Sequence, residues 1–209
     1  MNEKKFEECR KSFETHKATL IQDTDRYLII DWRREDGSSN YYVNYIVDKK
    51  RGSLIVSGDL GDSIATWYNP VNPANLKNWV YNDIGYYISK MQCASDIYYC
   101  TGEDIAADIK SHISECDTDM LVSAYNEKVS PYIDVETEDE LWEALASEAD
   151  DCIYNASGDI FVPSDKIVDF CNEFDSDYYE WLYKCGRRIS PRVYLWAAGF
   201  YMACEQLGI

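Results

Sequence analysis

The sequence predicts an α+β fold: a small antiparallel sheet of three or four strands with an N-terminal helix, followed by a mostly helical acidic half. Three observations lead there. Between residues 26 and 68 the apolar residues are largely aromatic or β-branched and come in short runs divided by turn residues, the pattern of strands. From residue 73 onward they recur at three- and four-residue steps, the period of a helix face. Over 96–180 the chain holds 24 Asp and Glu against three Lys and Arg, so the helical half is also the acidic half. With 209 residues the chain can bury a sizeable core. It would do so as a single domain over 1–209, or as a β-rich subdomain (1–92) joined to a helical acidic subdomain (93–209).

Residues 2–17 place Phe6, Cys9 and Phe13 on one stripe of an amphipathic helix. RYLIIDW (26–32) and YYVNYIVD (41–48) read as strands, and REDGSSN between them supplies the Gly, Ser and Asn of a hairpin connection. SLIVSGDL (53–60) and SIATWY (63–68) continue the sheet. NPVNPAN (69–75) ends it, with Pro73 suited to the first turn of a helix behind Asn72. One or two helices then run to about residue 91, and DIYYC (96–100) reads as a short strand. Ile105, Ile109 and Ile113 mark a helix over 102–116, and another covers 118–129. Thr137 and Glu140 form a capping box that opens a helix. Further helices begin at Ser164 and Asp177, and the last, behind Ser190 and Pro191, is apolar on most faces and therefore a core helix.

Composition narrows the function. Hydrophobic residues make up 46% and aromatics 14% of the chain, too much for a disordered acidic tail. No apolar run reaches the roughly 18 residues of a bilayer span, and MNEKKFEECRKSF lacks the apolar segment of a secretory signal. A cytoplasmic protein is expected, its eight cysteines reduced and mostly buried. The formal net charge is −18, and residues outside 96–180 are slightly basic in sum, so one block supplies the whole field. That field repels nucleic acid and steers the protein toward a basic partner.

Catalytic signatures are missing: no nucleophile elbow, phosphate loop, zinc-protease helix or dinucleotide glycine pattern is present. SGDLGD (57–62) is too short for a phosphate cradle and reads as a tight turn. Histidine occurs only as His16 and His112. A carboxylate-based or metal-dependent hydrolase is the alternative, though no pair of acids stands apart from the field. A zinc-stabilised interaction module is a further one, with Cys93, Cys100, His112 and Cys116 as its ligand candidates. His112 and Cys116 lie four apart on one helical face, but the gap from Cys93 to Cys100 is wider than usual. No cofactor is expected.

ETEDELWEALASEADD (136–151) carries eight carboxylates and no Lys or Arg. Leu141, Leu145, Ala149 and Cys152 form its inward stripe, while Glu136, Glu140, Glu143 and Asp150/Asp151 follow one another outward. Neighbours at those steps lie about 5–6 Å apart, on the scale of successive phosphates along a strand. Each like-charge pair costs a few tenths of a kcal/mol, and lysines that would relieve it are withheld. EFDSDYYE adds Asp175, Asp177 and Glu180 with Tyr178 and Tyr179, an exposed aromatic doublet suited to a binding surface. These ten residues are the expected partner-binding set.

In this acidic block the chain resembles the small acidic proteins of phages and mobile elements that inhibit bacterial defence nucleases, of anti-CRISPR or anti-restriction type. VSGDLGDSIATWYNP (56–70) also resembles a segment of proteins from such elements. The resemblance is compositional, covers under half of the chain, and carries over no catalytic residue. It implies a non-catalytic inhibitor that mimics DNA and occupies the basic groove of a CRISPR effector or restriction nuclease in the bacterial cytoplasm. No direct nucleic-acid or membrane partner is implied.

Overall fold

In the computed structural model, which describes residues 1–129, 134–154 and 160–209, the fold is α+β. The chain forms two compact units: residues 1–97 with 190–209, and residues 98–189.

The first unit opens with helix α1 (Glu3–Ser12), capped by the Asn2 side chain. Six antiparallel strands follow as a meander in chain order: β1 (His16–Asp23), β2 (Tyr27–Arg34), β3 (Val43–Asp48), β4 (Ser53–Gly58), β5 (Ser63–Thr66) and, after two helices, β6 (Met91–Ala94). The helices are α2 (Pro73–Asn82), with Pro73 in its first turn, and α3 (Ile84–Ser89). The unit closes with the long helix α8 (Pro191–Leu207). Strand alternation puts Leu28, Ile30, Trp32, Val43, Tyr45, Val47, Leu54 and Val56 on one buried face. Helix α8 packs on that side, where Tyr45 Oη donates to the Trp196 carbonyl at 3.0 Å. On the opposite face Ile29, Ile46, Ile55 and Ile64 pair across four strands, the β-branched cross-strand contacts that hold a sheet together.

The sheet is larger than the three or four strands expected. The helix expected over 2–17 stops at Ser12, and the chain turns into β1. This edge strand hides its period because a bulge falls between Leu20 and Gln22 and both Leu20 and Ile21 are exposed. The other edge, β6, is only four residues long.

His16 starts β1 and is buried to 5% exposure against Phe13 and Trp32. Its Nε2 lies 3.2 Å from the Tyr41 carbonyl, and Nδ1 has no partner among the described residues. Burial holds its pKa below the ordinary 6.5. The neutral ring is the folded form, so its contribution is complete above 6.5 and is lost as pH falls through the lower folded value. The urea midpoint of the protein is expected to fall between about pH 7 and 5, a slope that His16→Phe removes. A midpoint equally pH-dependent in that variant would assign the slope elsewhere.

The second unit begins with the short strand β7 (Tyr98–Tyr99), which pairs with β8 (Arg188–Ile189). Between them lie α4 (Gly102–His112), α5 (Thr118–Lys128), α6 (Glu138–Asp150) and α7 (Asp165–Phe174), then two single 3-10 turns, Tyr178–Glu180 and Leu182–Lys184. The helix expected from Asp177 is therefore two separate turns. Ile105, Ile109, Leu121, Leu141, Leu145, Ile167, Phe170 and Leu182 build the core of this unit. Among the described residues no helix is long and apolar enough to cross a membrane.

Candidate functional site

Helix α4 organises the acidic surface of the second unit. At 100° per residue, its positions 102 and 110 share one face and 104, 108 and 112 share the opposite one. The first face meets α6 in antiparallel: Gly102 N–H donates to Asp150 Oδ1 at 2.5 Å, and Lys110 pairs with Glu138 at 2.8 Å and lies over the Trp142 ring. The second meets the chain after α7. Arg188 grips Asp108 with both guanidinium nitrogens at 2.7 and 2.9 Å and reaches Asp104 at 3.1 Å, while His112 stacks on Trp181 with ring centroids 4.2 Å apart. The exposed residues Glu103 and Ser111 remain on the outer strip of α4. The acids of α6 and those of 177–180 thus flank that strip on either side.

The unit holds 23 Asp and Glu against six Lys and Arg, so it carries −17 of the chain's −18. Four of its six cations lie in the seams between elements. Lys110 takes Glu138, Lys128 takes Glu173 at 3.3 Å, Lys166 approaches Glu148 at 3.8 Å, and Arg188 takes Asp104 and Asp108. None of the ten expected partner-binding residues is in an ion pair among the described residues.

Those ten divide by what else they do. Glu140 completes the capping box of α6: its carboxylate accepts the Glu136 and Thr137 N–H groups, which hold its pKa below the usual range. Asp150 takes the first N–H of α4. Asp175 accepts the Trp181 indole N–H and the Asp177 N–H, each at 2.8 Å, and its pKa is lowered first by the indole bond. These three carboxylates hold the fold. Glu136, Glu143, Asp151, Asp177 and Glu180 are exposed and outside any ion pair among the described residues. Tyr179 is 59% exposed, whereas Tyr178, expected beside it at the surface, packs against the core. Sequence reasoning missed Tyr183, 55% exposed, because the expected helix gave it no distinct face.

A shallow groove of about 270 Å3 runs beside these residues, lined by Asp108, Ser111, His112, Glu180, Trp181 and Lys184. The carboxyl shifts in this unit, at Asp108, Glu138, Glu140 and Asp175, all run downward, each led by a hydrogen-bond donor or cation. A general acid at neutral pH needs the opposite shift.

The four zinc candidates are not brought together. Cys93 is exposed on β6 of the first unit, and the other three belong to the second. Cys100 is buried with its thiol directed to the Cys185 carbonyl, and burial pushes its pKa up to about 11. His112 is stacked on Trp181. Among the described residues no group of three His, Cys, Asp or Glu side chains could hold a metal ion. Comparison with protein-family models, curated proteins and solved structures finds no match to this chain.

Proposed function

We propose that this chain is a non-catalytic binding protein whose second unit occupies the cationic nucleic-acid groove of a bacterial defence nuclease, a CRISPR effector or a restriction enzyme. One observation carries the reading: the second unit carries −17 while spending four of its six cations on internal seams, so its outward carboxylates keep their charge. A surface that merely stays soluble mixes both signs, as residues 1–95 do with 13 acids and 13 bases.

On this reading Glu136, Glu143 and Asp151 on and beside α6, and Asp177 and Glu180 beyond α7, all exposed, take the place of phosphates in that groove. Charge complementarity speeds the encounter. Tyr179 and Tyr183 add rigid aromatic area that slows release. The compositional resemblance to phage inhibitors points to the same partner class.

The test is competition. Labelled duplex DNA bound to each of a panel of CRISPR effectors and restriction nucleases is followed by fluorescence anisotropy while the protein is added. Release of duplex from one of them, reversed by excess DNA, is the expected result. Duplex retained by every member, or a complex in which the nuclease holds duplex and this protein at once, would refute the reading.

A further inference from the structure

An open cavity of about 480 Å3 lies in the first unit, where the β4–β5 turn meets the start of α8. Its lining includes Tyr41, Asp59, Gly61, Ser190, Arg192 and Leu195.

One wall donates. At the start of the 17-residue helix α8, Pro191 has no N–H, the Ser190 N–H goes to the Ile97 carbonyl at 2.9 Å, and the Val193 N–H goes to the Ser190 carbonyl at 3.0 Å. The Arg192 N–H is left without an acceptor among the described residues, at the positive end of the helix dipole. The Ser190 hydroxyl makes no capping bond and has no partner among the described residues. The Arg192 guanidinium is loosely held, its contact with Asp96 being 4.0 Å long.

The SGDLGD turn fits around it. Gly61 sits at φ +87°, and a Cβ there would meet Arg192 Nη1 at 3.2 Å and Ser95 Oγ at 2.7 Å. Glycine lets the turn lie against the guanidinium. Asp59 supplies the opposite polarity: one oxygen accepts the Tyr41 N–H at 2.9 Å, and the other is free of partners among the described residues. Tyr41 and Leu195 give the cavity apolar walls.

Donors on one side and a carboxylate on the other call for a ligand that is an oxyanion at one end and a hydrogen-bond donor at the other. A bare anion would meet Asp59 unfavourably, and a bare cation would meet Arg192. We infer that this cavity binds a small carboxylate bearing an adjacent donor, an α-amino or α-hydroxy acid, with Ser190 and Arg192 taking the carboxylate and Asp59 the donor. The site lies in the other unit from the acidic surface, so it stands or falls separately from nuclease binding.

The test is calorimetric titration of the full chain with L-alanine, L-lactate and acetate. Alanine or lactate is expected to bind at least about tenfold more tightly than acetate, which offers Asp59 nothing. Arg192→Met and Ser190→Ala are each expected to weaken that binding by about tenfold or more without moving the melting temperature of the free protein. Three outcomes would overturn the inference: no binding of alanine or lactate at millimolar concentration, acetate binding as tightly as both, or unchanged affinity in Arg192→Met.

Discussion

The combined variant Glu136→Lys, Glu143→Lys, Asp151→Lys and Asp177→Lys is expected to lose nuclease binding by about 100-fold or more, while folding as well as the parent protein. All four side chains are exposed and outside ion pairs among the described residues. Each reversal adds two charges, so the formal net charge moves from −18 to −10. The fold is expected to gain slightly, because like-charge pairs along a helix cost a few tenths of a kcal/mol each. Glu140, Asp150 and Asp175 are left untouched for a physical reason. Their carboxylates accept N–H groups that open α6, open α4 and hold Trp181, so reversing them would confuse lost binding with lost structure. A melting temperature at or above that of the parent, alongside lost binding, is the expected pair of readings. Retained affinity would remove these acids from the interface.

Gly102→Ala is the substitution with the largest expected effect on stability. A Cβ at this first position of α4 would stand 1.9 Å from the Ala146 carbonyl oxygen and 2.8 Å from the Asp150 carboxyl. Both belong to α6, and a backbone oxygen cannot swing aside as a side chain can. The two helices must separate, which loosens the Gly102–Asp150 hydrogen bond and the packing of Ile105 and Leu145 beneath it. Overpacking at such a site costs about 1–3 kcal/mol, visible as a lower urea midpoint and greater amide exchange in α4 and α6. A midpoint within a few tenths of the parent's would show that the helices are not held as closely as described.

What could be read from the sequence was local. The capping box of Thr137 and Glu140, Pro73 behind Asn72 and the apolar last helix all formed as expected, because each depends on residues within one or two turns. The outward acids of α6 were legible for the same reason: helical period alone separates them from Leu141 and Leu145. The edge strands were not. In β1 the bulge at Leu20–Gln22 breaks the alternation that reveals a half-buried strand, and β6 is too short to carry a period.

Long-range partners were out of reach altogether. Arg188 and Asp108 are 80 residues apart, so nothing nearby says that this arginine neutralises a seam rather than the surface. The same distance effect hid the stack of His112 on Trp181. It also hid the meeting of the SGDLGD turn with Arg192, which gives those glycines a use that their own neighbourhood does not display.

The central claim is that outward carboxylates of the second unit replace phosphates in a cationic groove. The salt dependence of the dissociation constant tests it most directly, measured with the nuclease whose duplex the protein displaces. Salt weakens interactions between exposed charges, largely screening them beyond about 10 Å at 0.1 M. The account predicts a steep, linear weakening of affinity with the logarithm of salt concentration, and a clearly smaller slope in the four-lysine variant. Affinity indifferent to salt, or a slope identical in protein and variant, would contradict it.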